Sequence, residues 1–396
     1  MTDFDVIVVG AGPAGSTAAR FAAAGGASVL LLEQKDELGI PVQCGELLPS
    51  AGTLKEIFPK APDIEDLFET PRNCISLKIA RLSLFSPAKR EYALGFEANS
   101  LWRARYDRHL ASLAAGEGAV LRTGVKVRGL VLEDPGTGEP LNRGAGEPMG
   151  RIAGEPDNPP AADPRLPTPA QALGVETEEG TLTARVMIGA DGALSRVGRS
   201  VGFPAPGVHP CVQCTIPGDY GDGVELHFGT LTPGGHAWLV PRSKGANIGL
   251  EMKGRRQLRA VLDQFVWELG ITDKPKIETD GVIPVTGPLA ETVRGNVLLC
   301  GDAAGQVLAF NSWGMAPAVL CGRAAGETAS AFIQGTAKLP DYEKRWRREV
   351  GEALKASLWF RRRMDRFSLN PLTMEMAFAF LRKWGIRRIL SGKRIV

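Results

Sequence analysis

DVIVVGAGPAGSTAARFAAAGGASVLLLEQ, residues 5–34, changes its periodicity twice in thirty positions. DVIVVG is an unbroken apolar run stopped by glycine, the pattern of a parallel strand buried on both faces. STAARFAAAG, closed by Gly25 and Gly26, has helical composition, and SVLLLEQ is a second apolar strand. Between the first strand and the helix, Gly10, Gly12 and Gly15 form G-x-G-x-x-G, and Glu33 closes the second strand. Glycines at these places let the backbone approach a pyrophosphate. The start of the helix offers unpaired N–H groups and positive dipole, and an acid at the end of the second strand can accept from ribose hydroxyls. This is a βαβ unit built to hold a dinucleotide.

Length and composition set the frame. At 396 residues, 44% hydrophobic and 23% charged, the chain has the make-up of a soluble globular protein of two intimately joined domains. Six scattered cysteines show no disulfide-framework spacing, which favours a reducing, intracellular compartment. Asp3 and Asp5 precede the apolar N-terminal run, which excludes a signal peptide reading, and no stretch is apolar for long enough to span a bilayer. The net charge of +3 conceals an asymmetry: residues 355–396 hold eleven Lys/Arg against two Asp/Glu, a local +9 on a body of −6. Such a tail implies an anionic partner.

Residues 134–174 carry nine prolines and seven glycines, with GEP at 138–140, 146–148 and 154–156. They read as a flexible Pro/Gly-rich insertion between two strands, 125–133 and 175–190. From 211 to 284 the pattern is strand-like (VELHFGTL, HAWLVP, ANIGLEM), with one helical stretch over 255–269. NVLLCGDAAG returns to a strand running into a loop and then a helix. The last segment is helical, with breaks expected at Pro371 and Gly385.

Further motifs carry a resemblance. Residues 188–199 (IGADGALSRVGR) and 299–305 (LLCGDAAG) resemble two signatures of the p-hydroxybenzoate-hydroxylase-type flavoprotein superfamily, and residues 103–107 (RARYD) resemble its R-x-x-F-D helix start. That resemblance implies FAD as cofactor, with Asp302 beside the ribityl chain, Arg103 reaching toward the flavin, and Asp191 ordering a loop. Within the superfamily, PGGHAWLVP (233–241) resembles the P-x-x-Y-x-W-x-F-P motif of the geranylgeranyl reductase family. VQCGE (42–46) resembles that family's cysteine segment, and GDAAGQV with GMAPAVLCGRAAGETA its third FAD segment. The fold implied is α/β: a Rossmann-type FAD-binding domain (1–70, 100–205 and 285–335) interleaved with a β-sheet substrate domain (71–99 and 206–284), then a basic helical C-terminal segment (336–396). On this pattern Ala14, Glu33, Cys44, Gly45, Leu47, Arg103, Val127, Asp302, Gly314 and Met315 fall on FAD-contacting positions, beside Gly10, Gly12 and Gly15.

The chain departs from the family at several points. His236 replaces Tyr and Val240 replaces Phe in the aromatic motif. The loop 308–313 (LAFNSW) replaces N-P-x-x-G-x, placing Trp313 ahead of the retained Gly314. Strand alternation puts His236 and Trp238 on one face, with Ala237 and Leu239 on the other. The resemblance implies an FAD-dependent reductase that saturates C=C bonds of polyprenyl chains, borne on a lipid or a diphosphate, with electrons from a ferredoxin, a nicotinamide or a deazaflavin. His236, Trp238 and Trp313 are the expected substrate walls, and Cys44 and His236 the expected proton sources.

Competing readings are an aromatic monooxygenase, a quinone-linked electron-transfer flavoprotein, and a non-catalytic flavin- or lipid-binding protein. Against the first, the hydroxylases' His after GDAA is Gly305 here. The pair Cys211/Cys214 lacks the ligands of a zinc site, so no metal is expected. The tail mixes Trp359, Phe360, Phe367, Phe378, Phe380 and Trp384 with arginines. Two readings stay open for it: core aromatics with a solvated charged face, or docking of a cytoplasmic protein on an anionic membrane surface. No nucleic-acid-binding fold accompanies the charge.

Overall fold

The computed structural model describes residues 2–133, 140–144, 171–254, 257–273, 275, 277–367 and 370–390. Phe4–Val9 is a strand buried along its apolar run, paired in parallel with Val29–Leu32 on one side and with Gly180–Gly189 on the other. Val120–Arg122 and Val297–Leu299 extend this parallel core at its two edges. The first half of Gly180–Gly189 instead carries an antiparallel ribbon, Ala172–Thr177, Gly129–Glu133 and Pro140–Gly144. The segment 175–190, expected as one strand, is thus a hairpin with its turn between Thr177 and Gly180. Thr177 Oγ1 accepts from Glu179 N and donates to Gly180 O there. The insertion also contains a strand at Pro140–Gly144, paired backbone to backbone with Gly129–Glu133, where the Pro/Gly composition predicted none. Its residues 134–139 and 145–170 lie outside the described residues.

The second sheet has eight strands in the order Ile277–Pro284, Val208–Ile216, Gly245–Glu251, His236–Arg242, Gly223–His227, Ile75–Phe85, Glu91–Leu101 and Leu47–Pro49. The sequence pattern groups Leu47–Pro49 with the first domain. Three residues are too few to print a strand pattern, and only their pairing with residues 98–100 places them at this sheet's edge. Alternation divides the faces as expected. Trp238 and Val240 join Leu226, Phe228 and Phe96 on one face, while Ala237 and Leu239 pack with Ile248 and Leu250 on the other, under helix Leu258–Glu268. Cys211 and Cys214, three apart on a strand, belong to opposite faces. Among the described residues no group of His, Cys, Asp or Glu is arranged to hold a metal.

Helix Pro13–Ala24 lies against helix Met315–Ile333, and small residues set the distance. A Cβ on Gly322 would sit 2.3 Å from Ala14 O, and one on Gly326 would sit 2.2 Å from Ala18 O. Backbone therefore touches backbone. The C-terminal helices Gly351–Phe367 and Pro371–Leu390 cover the aromatic face of the second sheet with Phe360, Met364, Met374 and Phe378. Gly385 does not end the last helix, since one glycine costs only about 1 kcal/mol in a helix of this length. The side chains of Phe367 and Trp384 lie outside the described ones.

Gly326→Leu should destabilise the protein by roughly 1–3 kcal/mol or more, because no flexible group can yield. Gly116→Ala, which meets nothing within 4 Å, should be neutral or slightly stabilising. Thermal melts of the two variants check this.

Candidate active site

Gly10 has φ +97°, and a Cβ there would lie 2.4 Å from Ala190 O; a Cβ on Gly15 would lie 1.8 Å from Gly10 O. These two glycines make the tight strand-to-helix turn. Gly12 differs: nothing stands within 4 Å of where its Cβ would be. It caps helix Pro13–Ala24 without a side-chain partner and faces open space. That space is a cleft of about 910 Å³ lined by Gly12, Ala14, Cys44, Gly45, Arg103, Asp302, Gly314 and Met315 among others. Gly314 caps helix Met315–Ile333, again with no side-chain cap, so two helix N-termini open onto one cleft. A pyrophosphate-bearing dinucleotide fits this donor set.

Toward one end, Gly12, Gln43 and Arg103 are shared with a second cavity of about 530 Å³ that holds Glu33 and Lys35. Glu33 accepts from Ala11 N at 2.8 Å and Lys35 N at 3.0 Å, so its carboxylate is fixed beside the glycine turn. Arg103 starts helix Arg103–Gly116 and is paired with Asp107 through two bonds of 3.0 and 2.9 Å. Burial opposes its charge, but the Asp107 carboxylate and the adjacent Cys44 together outweigh that and hold the guanidinium above its ordinary value. Burial pushes the Asp302 carboxyl up to about 6, with Arg103 pulling the other way. Asp191 behaves as expected of a loop-ordering residue, accepting from Arg196 N at 2.7 Å and Val197 N at 3.1 Å at the start of a short helix.

Toward the other end, Cys44, Gly45, Trp238, Ile283, Ser312, Gly314 and Met315 are shared with a cavity of about 500 Å³. Its remaining walls include Leu47, Val224, Leu226, His236, Val240 and Trp313, and Trp313 also packs against Phe96 with ring centroids 5.2 Å apart. Loop 308–313 closes on itself through Leu308 N to Trp313 O, 3.0 Å, which positions the indole. Trp238 Nε1 donates to Asn247 Oδ1 at 2.8 Å, and Asn247 Nδ2 donates to Cys44 O at 3.1 Å, so one amide ties the indole wall to the cysteine segment. Burial pushes the Cys44 thiol up, so it keeps its proton at neutral pH.

The structure therefore brings Glu33, Ala14, Cys44, Gly45, Leu47, Arg103, Asp302, Gly314, Met315, His236, Trp238 and Trp313 around connected cavities. Gly10 and Gly15 shape the turn without lining any of the three. Val127 lies apart from them too, its side chain buried in the core beneath the first sheet. Sequence reasoning missed Gln43, Asn247 and Glu46. Glu46 is 1% exposed, with φ +62°, and lines the apolar cavity. Burial pushes its carboxyl up while Arg242, 3.3 Å away, pulls the other way. The only sequence cue for it was its place in VQCGE. Val224, Leu226 and Val240 were readable from strand alternation.

Gly12→Val should leave folding intact, because its methyls enter open space, yet abolish retention of FAD; flavin absorbance of the purified protein checks this. Gly15→Ala should instead compromise folding itself, seen as loss of soluble protein or a lowered melting temperature.

The comparisons with known proteins agree with this geometry. Residues 5–39 match the family model described as FAD dependent oxidoreductase. Digeranylgeranylglycerophospholipid reductase 2 of Methanopyrus kandleri is 31% identical over 100% of this chain and 94% of its own length. The reductase of the same name from Methanosarcina acetivorans is 33% identical over 90% of this chain and 83% of its own. In fold, a geranylgeranyl bacteriochlorophyll reductase-like protein from Thermoplasma acidophilum superposes with a TM-score of 0.74 at 21% identity, covering 98% of this chain and 99% of that one. An FAD-dependent oxidoreductase, the chain belongs to the digeranylgeranylglycerophospholipid reductase family.

Proposed function

We propose that this enzyme saturates C=C bonds of geranylgeranyl chains carried on isoprenoid ether lipids. The observation that supports this best is the apolar, aromatic cavity opening directly off the dinucleotide cleft. When bound and reduced, FAD supplies hydride to an alkene carbon. The chain's own residues do the rest. Trp238, Trp313, Val224, Leu226 and Val240 hold an uncharged tail and keep water from its reacting bond. An isolated trisubstituted alkene has no polar handle, so fit to these walls must orient it. Cys44, with its thiol kept protonated, and His236 both line that cavity and are the proton sources for the second carbon. Arg103, Glu33 and the two helix N-termini hold FAD. The full-length likeness to reductases favours this reading over a monooxygenase on the same scaffold.

The same reading places the enzyme at a membrane surface, where its lipid resides. Among the described residues no helix is long and apolar enough to cross a membrane. Helix Pro371–Leu390 nevertheless exposes Leu372, Met376 and Phe380 by 69%, 65% and 84%. Spaced by four, they form one stripe. Arg362, Arg363 and Arg366 are exposed on the preceding helix, matching the charge of anionic headgroups.

Anaerobic incubation of the reduced enzyme with digeranylgeranyl glycerolipids should give products heavier by one hydrogen molecule per bond in mass spectra; no such product from any polyprenyl lipid would sink the proposal. His236→Asn and Cys44→Ser should each lower kcat, by roughly 10²–10⁴-fold for the group that carries the proton. Replacing Leu372, Met376 and Phe380 together by Glu should abolish flotation with anionic vesicles and leave flavin content unchanged.

A further inference from the structure

Behind His236, on the side of the sheet roofed by the C-terminal helices, lies a cluster of buried charges. Glu251 is 0% exposed, His236 2%, His209 3% and Arg361 4%. Glu251 ends the strand paired with His236–Arg242, and the register sets His236 directly opposite it. Its Oε1 lies 3.3 Å from His236 Nδ1 and accepts from Arg361 Nη1 at 2.8 Å and Ser312 Oγ at 3.4 Å. Its Oε2 lies 2.7 Å from His209 Nδ1 and accepts from Arg361 Nη2 at 3.2 Å. Arg361 also donates to Ala309 O at 2.8 Å and to Gly234 O. Asp365 Oδ1 stands 3.4 Å from Arg361 Nε. Arg361 Nη2 is 2.8 Å from the same His209 Nδ1, so that nitrogen either donates to the carboxylate or accepts from the guanidinium.

Burial alone would raise the Glu251 carboxyl; the Arg361 guanidinium, followed by the two imidazoles beside it, holds it well below the ordinary carboxylate range. His236 Nδ1 is buried with no other partner among the described residues, so the carboxylate oxygen 3.3 Å away is the acceptor it faces. A carboxylate that stays ionised accepts hydrogen bonds and donates none. The imidazole nitrogen facing it is then the one that carries hydrogen. We propose that Glu251, held by Arg361, is a positioning residue that fixes His236 with Nδ1–H toward the carboxylate and presents Nε2 to the apolar cavity. This deepens the reading of His236 as a proton source and rests on it. Before the lipid enters, Nε2 takes a proton from solvent and the ring becomes imidazolium. In the step served, that proton leaves Nε2 for the alkene carbon that did not receive hydride, and the ring returns to its neutral Nδ1–H form. The new C–H bond takes the electron pair of the former π bond, and Nε2 keeps the pair of its broken N–H bond. Glu251 stays ionised throughout, and Nδ1–H never leaves the ring.

Arg361 sits on helix Gly351–Phe367, yet it grips both the carboxylate behind His236 and the loop carrying Trp313. The basic segment is thereby part of the active site.

The test uses FAD-loaded protein with ¹⁵N-labelled histidine, and His236 is assigned by the signal lost in His236→Asn. Long-range ¹H–¹⁵N spectra should show its neutral ring protonated at Nδ1. The double variant Glu251→Leu/Arg361→Met removes both charges together and strands neither. It should bind FAD, shift His236 to the Nε2–H tautomer that imidazole prefers unaided, and lower kcat by roughly 10²-fold, with a smaller change in KM. A neutral ring protonated at Nε2 alone in the wild type overturns the proposal even if the double variant does not fold, and so does an unchanged tautomer in a folded double variant. Full turnover by His236→Asn would overturn the role of His236 in protonation. Tautomer spectra that still followed Glu251 would then locate the failure in the reading of the site and not in the geometry.

Discussion

Two helices meet at backbone distance, and the active site follows from that contact. Gly322 and Gly326 admit the main chain of Ala14 and Ala18 with no side chain between. Helix Pro13–Ala24 is alanine-rich on its buried face for the same reason. Each helix begins at an uncapped glycine, Gly12 in one and Gly314 in the other, and the close packing makes both openings converge on one cleft. A bulky residue anywhere along that seam would push the two anion-binding ends apart. One end receives the glycine turn of the first βαβ unit. The other receives a loop that begins at Asp302 and ends at Trp313, beside the second sheet.

The second sheet supplies what a dinucleotide fold lacks, a surface for an apolar molecule. Its strands alternate so that His236, Trp238 and Val240 look toward the cavity, while Ala237 and Leu239 bind the sheet to helix Leu258–Glu268. The C-terminal helices then roof the aromatic face. Burying Glu251 and Arg361 beneath that roof costs several kcal/mol per ion unless paired, and here they pair with each other and bond to His209, Ser312 and the carbonyls of Ala309 and Gly234. Such a costly cluster of charge stands directly against His236.

Much of this was written locally in the chain. The switch from apolar run to glycine turn to alanine-rich helix identified the nucleotide cleft, because period and turn chemistry are properties of neighbours. His236 and Trp238 were assigned to one face by counting to two. Cys44, Asp302 and Gly314 lie in short motifs whose spacing survives the altered loop. What stayed hidden depends on contacts between distant segments. Arg361 is one of three consecutive arginines; nothing local distinguishes it from Arg362 and Arg363, yet it alone of the three is buried. Glu251 closes an apolar strand and looks like an ordinary terminal charge until the register places it opposite His236. Asn247 and Glu46 act across two hundred positions of sequence. The hairpin in 175–190 was missed because two adjacent glutamates turn the chain without proline, and Gly385 misled because helix length outweighs one weak residue.

Asn247 joins two walls of the cavity that the sequence keeps far apart. The indole of Trp238 and the backbone of Cys44 hang from opposite ends of a single carboxamide. Indole and thiol-bearing segment are thus tied to each other through that amide although they belong to separate stretches of chain. The distance between two walls of the cavity is therefore set by one side chain that is not itself a wall.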